Sequence, residues 1–269
     1  MNVEPLSPLD LGLAAVLLVL LGLLSVRLRL GLGRQLAIAA ARTTVQLLLI
    51  GHVLRLLFAH SHFGYVLLIS LVMLAAAGRE VMVRQRRQLR GIHRWLIGAG
   101  SMALSSFTVT LLALTVIIGR EPWYTPQYAI PLLGMLLGNT MSGVGLAMDR
   151  MTETLWQQRA VIEQRLLLGQ TAGQAAADIR RQAIRSGMMP VLNSMATAGL
   201  VSLPGMMTGQ ILGGSNPLDA VHYQILIMFL ITAGTGFGSI AAVRWVQRRL
   251  FDSRHRLRLD NLHPVRSDS

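Results

Sequence analysis

The sequence predicts an all-α polytopic membrane protein of about seven transmembrane helices, N-terminus outside and C-terminus inside, with a cytosolic helical coupling insert. Three observations carry that prediction. Of 269 residues, 52% are apolar and only 14% charged, with mean hydropathy +0.51, more apolar sequence than a water-soluble core can use. The apolar residues gather into membrane-length blocks. All 25 basic residues are arginine, and most fall between alternate blocks, as the positive-inside rule requires. A net charge of +13 in a soluble chain would suggest nucleic acid; arginines placed between apolar blocks point to lipid headgroups, so no nucleic-acid partner is expected.

The first block, 9–26, has no basic leader or small-residue cleavage site, so it reads as an uncleaved first span. Arg27, Arg29 and Arg34 place its far end inside. Residues 28–41 are amphipathic and are expected to lie along the inner membrane surface. The second span, 43–59, carries Gln46, His52 and Arg55; a short outer turn leads to the third, 63–78. The stretch 79–94 holds six arginines against one acid and must stay inside. The fourth span is 95–118, followed by an outer loop whose Trp123 and Tyr124 suit the interface. The fifth, 128–148, returns the chain to the cytoplasm at Asp149.

Residues 149–187 are too polar to cross a bilayer. Helix formers dominate them, and Gly169 and Gly173 interrupt, so two short helices meeting at a turn are expected. The sixth span is 188–212 and the seventh 221–243, giving one permease domain over 1–260 and a disordered tail over 261–269. In this topology only Arg55 and Arg120 of the 25 arginines lie toward the outside.

Span six carries Pro190 and Pro204, each costing a helical hydrogen bond, with Gly205 and Gly209 loosening the same stretch. A broken span beside a polar handle is what a moving gate needs. Candidate path residues are the polar or soft side chains at membrane depth: Gln46, Asn139, Asn193, Met206, Met207 and Gln210. In span five, Gly134 and Gly138 begin a small-residue face for another helix or a second copy. His60, His62, Asp219 and His222 are weaker candidates for an outer metal cluster. The absence of lysine rules out an ordinary phosphate-binding P-loop, and the absence of cysteine rules out disulfides and thiolate chemistry. No acid/base pair or nucleophile motif is present, so the chain reads as non-catalytic, with no cofactor of its own.

Glu163 and Gly169 are six apart, Ile179 lies ten further on, and LLLGQT spans Leu166 to Thr171. This resembles the cytoplasmic coupling loop of ATP-binding-cassette (ABC) permeases, with Gln164, Arg165, Arg181 and Gln182 departing from the pattern and Gln170 replacing an alanine. Together with ARTTVQLLLIGHVL (41–54), IPLLGMLLGNTMSGVGL (130–146), AGLVSLPGMMTGQILGGSNPLDAVHYQI (198–225) and SRHRL (253–257), it resembles the bacterial iron-export ABC transporter permease family, related to plant aluminium-tolerance membrane proteins. The resemblance implies a permease subunit of the inner membrane, a homodimer that exports iron or a related metal ion. A separate ATP-binding subunit would bind ATP and Mg and grip Glu163, Leu168, Gly169 and Thr171. The alternative is a secondary transporter or channel for a metal ion working without ATP; such proteins usually show paired half-repeats or intramembrane acids, and neither is evident.

Overall fold

In the computed structural model the described residues are 7–59, 62–83, 85–119 and 121–263. Among them no strand forms, and the chain is a succession of helices: α1 (Pro8–Arg27), α2 (Gly33–Ala59), α3 (Phe63–Val83), α4 (His93–Ile118), α5 (Pro126–Gln157), α6 (Arg159–Leu167), α7 (Ala172–Ala175), α8 (Ala177–Thr197), α9 (Gly205–Leu212) and α10 (Pro217–Leu250). Six of these, α1 to α5 and α10, are long and apolar enough to cross a membrane.

The helices divide into a bundle and an outlying hairpin. In the bundle α5 is central and packs against α3, α8 and α10, while α4 leans on α3 and α10. One apolar core lies toward the arginine-rich end, where Met148, Met151 and Leu155 of α5 meet Val243, Val246 and Leu250 of α10. A second lies toward the other end, around Leu132, Leu136, Ile227 and Ile231. In the hairpin, α1 packs on α2, and among the described residues only Ser25 and Leu57 are buried.

Helix packing is closest where glycine removes the side chain. A Cβ on Gly187 of α8 would sit 2.6 Å from the Gly143 carbonyl of α5, and one on Gly143 would run into the Thr235 methyl of α10. Backbones can approach this closely only at residues without a Cβ.

Three boundaries differ from the sequence expectation. The amphipathic stretch 28–41 is not a separate surface helix: the turn falls earlier, at Arg29 (φ 53) and Gly31 (φ 70), and α2 then runs unbroken from Gly33 because nothing interrupts it. The helix that carries the fifth span does not end with it at Met148: α5 continues to Gln157, and its 32 residues give a rod of about 48 Å, well beyond the roughly 30 Å of hydrocarbon. Residues 261–263, expected in the tail, are packed: Leu262 is buried against Leu89, and the His263 amide donates to the Gln88 carbonyl at 2.8 Å.

The sixth expected span, 188–212, is not one helix. Pro190 is accommodated inside α8, and the break comes at 198–204. Gly199 (φ 82) closes a tight turn in which its amide donates to the Ser202 carbonyl and the Val201 and Ser202 amides donate to the Thr197 carbonyl. Pro204 then takes the N-cap of α9. A proline already fixed near φ −65° starts a helix well and continues one badly, which is why the second proline sets the break.

Candidate functional site: a broken crossing and an exposed elbow

Along α10 the partners of α8 and α9 follow in steady register. Arg180 Nη1 donates to Gln247 Oε1 at 3.0 Å, Gly187 lies against Ser239, the Thr232 hydroxyl meets Met195 Sδ at 3.0 Å, and Met206 and Gln210 share a cavity with Tyr223 and Ile227. So α8 and α9 together run antiparallel to α10, interrupted beside its apolar middle. Irregular backbone at that depth is tolerated where it is covered by protein or lines a cavity. Here it lines one of about 440 Å³, walled by Met195, Gly199, Pro204, Met207, Gln224 and Met228. A smaller cavity of about 180 Å³ lies on the other side of α9, where Met206 and Gln210 meet Met135 and Tyr128. Met206 and Met207 thus serve different cavities. Gly205 and Gly209 have open space where a side chain would stand.

The other candidate path residues point elsewhere. Gln46 is exposed on α2, and Asn193 is exposed on α8. Asn139 is exposed on α5, its amide turned back to the Met135 carbonyl at 2.8 Å. With Gly138 and Ser142 it makes an outward polar strip on a helix whose opposite face is core. The small-residue face of span five is therefore split: Gly143 packs inward against α8 and α10, Gly134 approaches Met73 of α3, and Gly138 stands open.

A hydroxyl seam runs through the middle of the bundle and was missed in the sequence. Ser106 and Thr110 of α4, Thr140 of α5, and Thr235 and Ser239 of α10 are buried, and their hydroxyls have no hydrogen-bond partner among the described residues. A Cβ on Gly238 would meet both Thr140 and the Ser105 hydroxyl, which ties α4, α5 and α10 at one level. Beside the seam α4 makes two π-helical turns, Ala103–Phe107 and Ala113–Ile118. Wide turns of this kind are rare and gather at functional sites. The available signal was the i, i+4 pairing of Gly234 with Gly238 and of Thr235 with Ser239.

At the arginine-rich end the expected coupling residues form an elbow. Gly169 (φ 87) takes the left-handed position after α6, with Gly169 N donating to Leu166 O and Gln170 N to Arg165 O. Thr171 then opens α7 with a reciprocal cap, its hydroxyl accepting from Gln174 N and the Gln174 side chain accepting from Thr171 N. Arg165 clamps the elbow across to the Ala175 carbonyl at 3.1 Å and Asp178 at 3.3 Å. The guanidiniums of Arg181 and Arg165 hold the Asp178 carboxyl below the ordinary carboxylate range. Gln247 Nε2 donates to Ala172 O at 3.1 Å, fixing the elbow to α10. On this braced support Leu167 and Leu168 stand 88% and 84% exposed, and Glu163 is exposed one turn before.

Of the proposed outer metal cluster, His60 lies outside the described residues. His62 is exposed with its ring edge-on to Tyr65, and Asp219 sits in the first turn of α10, where a carboxylate complements the helix dipole. Among the described residues no three His, Cys, Asp or Glu side chains gather as a metal site.

Six long helices with apolar side chains facing outward define a multi-pass helical membrane protein. More particularly, the chain belongs to the uncharacterised protein family UPF0014, whose pattern matches residues 8–251. It is 42% identical over 230 residues to the UPF0014 membrane protein slr1647 of Synechocystis (85% of this chain, 87% of the relative). It is 36% identical over 230 residues to Protein ALUMINUM SENSITIVE 3 of Arabidopsis thaliana (85% and 82%). It is 31% identical over 261 residues to the probable iron export permease protein FetB of Escherichia coli (96% and 97%). No solved structure matches the chain.

Proposed function

We propose that the chain is the membrane permease subunit of an ABC exporter, moving iron or a related metal ion out of the cytoplasm. A separate subunit binds ATP and Mg and hydrolyses the nucleotide. The N-terminus lies outside, the C-terminus and elbow inside, and the protein sits in the inner membrane as a homodimer. The observation that carries this reading is the elbow: two leucines almost fully exposed on a tightly braced turn, at the end of the molecule richest in arginine. Apolar side chains held exposed on a rigid polar segment can anchor an interface with another chain. The iron export named for the Escherichia coli relative supports the cargo. The outward polar strip of Gly138, Asn139 and Ser142 supports a second copy, because polar groups at membrane depth face protein or water.

The test is co-purification of the candidate ATPase together with iron retention in preloaded cells. Leu167→Glu/Leu168→Glu should abolish both ATPase capture and accelerated iron loss at unchanged membrane levels of the chain. Capture by the variant equal to that by the native protein would overturn the coupling role. Iron loss identical with and without the native pair would overturn the cargo.

A further inference from the structure

A third cavity, of about 530 Å³, opens at the arginine-rich end, away from both the break between α8 and α9 and the elbow. Three of its walls are Arg79, Met82 and Val83 from the last turns of α3, Arg86 and Gln88 from the following loop, and Arg94 from the first turn of α4. The fourth wall is His263, brought there by the tail. The His263 amide donates to Gln88 O and the Arg90 amide donates to Asn261 O, both at 2.8 Å, so the tail is pinned across the loop.

Charge makes this cavity unusual. Three guanidiniums border it, and among the described residues none of Arg79, Arg86 or Arg94 has a carboxylate within ion-pair distance, although the chain pairs arginine with acid nearby. The acids close to it in the fold are engaged: Glu80 with Arg42, Glu153 with Arg87, and Asp149 with the Arg86 backbone amide at 2.8 Å. Arg94 makes one neutral contact, donating to Gln88 Oε1 at 2.7 Å. Like charges gathered around one hollow repel, and an anion removes that repulsion. Guanidinium pairs match the oxygens of a phosphate, and Met82 and Val83 give the cavity an apolar wall.

We propose that this cavity binds a phosphate-bearing anion, and that the apolar wall and its place at the end of the spans suit the headgroup of an anionic phospholipid. Basic hollows between membrane helices bind such headgroups, with the phosphate in the arginines and the acyl chains following the helix surface. The site is independent of the ATPase reading and of what the permease carries.

The experiment uses the full chain purified in a neutral detergent, with lipid retention read by native mass spectrometry and stability by thermal melting. Phosphatidylglycerol is offered against phosphatidylcholine, and inorganic phosphate alone forms a third arm. Expected is retention of phosphatidylglycerol but not phosphatidylcholine, weakened roughly tenfold or more by Arg79→Gln/Arg94→Gln. Arg34→Gln/Arg150→Gln, which removes the same charge elsewhere, should leave it unchanged. Stabilisation by inorganic phosphate equal to that by phosphatidylglycerol, and lost in the same variant, would support the site with a free anion as its occupant. Retention by the cavity variant equal to native, or equal loss in both charge-matched variants, would overturn it. Arg86→Gln is read by the same outcomes should the double variant not fold.

Discussion

The α1–α2 hairpin and the bundle around α5 and α10 both rest on long apolar helices, yet they are built for opposite surroundings. α1 is the most apolar of the six long helices and has one buried residue among those described; α5 is the least apolar of the six and has the most buried window. In water that order would be perverse. In a bilayer it follows, because leucine gains nothing by leaving lipid for protein, and helices associate through small residues and polar contacts instead. Hydropathy here reports which solvent a helix faces, and glycine and hydroxyl content reports which helices touch.

The contrast is sharpest at matched glycines. Gly187→Leu forces a side chain into the Gly143 carbonyl and the Ser239 hydroxyl and should cost about 3 kcal/mol or more, losing a monodisperse protein in detergent. Gly22→Leu, with nothing within 4 Å, should move the melting free energy by less than about 0.5 kcal/mol. A hairpin variant as damaging as the bundle variant would break the comparison.

Ion pairs should divide in the same way. Arg87 is nearly buried, bonded to Glu153 at 2.9 Å and stacked 4.2 Å over Trp156, so Arg87→Ala should destabilise by about 2 kcal/mol in thermal or denaturant melts. Arg42, which ties α2 to Glu80 of α3, is half exposed, and Arg42→Ala should cost less than about 1 kcal/mol. It should instead raise amide exchange in α2, where little else holds the hairpin.

The hydroxyl seam predicts an opposite sign. Thr235→Val replaces an unpartnered buried hydroxyl by a methyl of the same shape and should stabilise the protein by about 1 kcal/mol. Transport should nevertheless fall if the seam serves motion or hydration rather than packing. A variant with lower stability and unaltered iron efflux would assign the seam to structure alone.

The smallest effect is expected with acid. The lowered pKa of Asp178 means that its contribution is complete above the ordinary carboxylate value and is lost as pH falls through the lower folded value. Amides across 165–181 should keep exchange protection at neutral pH and lose it only once the pH falls below the ordinary carboxylate range. Protection unchanged across that range would show that the Thr171 cap and Gln247 hold the elbow without Asp178.

Much of this architecture was legible in the residues, unevenly. Long apolar blocks gave α1, α3, α4 and α10 because a helix facing lipid must be apolar almost everywhere, a signal that survives without knowledge of its neighbours. The elbow was legible too, since Gly169 and the Thr171–Gln174 pair act over a few residues. An interruption within 188–212 was legible from its prolines and glycines, but only the fold decides that Pro190 is carried within α8 and that the helix stops at Thr197. The seam was hidden because serine and threonine are ordinary in any helix, and their isolation from partners depends on three helices meeting. The Asn139 strip shows the same limit: its polarity was visible, its outward direction was not.

The Gly143–Gly187 approach has a mechanical consequence. It lies between the two ends of α8, about 13 Å from Asp178 at the elbow and about 15 Å from Thr197 at the break, at 1.5 Å per residue. With no side chain on either glycine, the two backbones meet directly there, midway between the elbow and the break. Elbow and break thus belong to one helix held at its middle, and neither end of α8 can be displaced without disturbing the most closely packed point of the bundle.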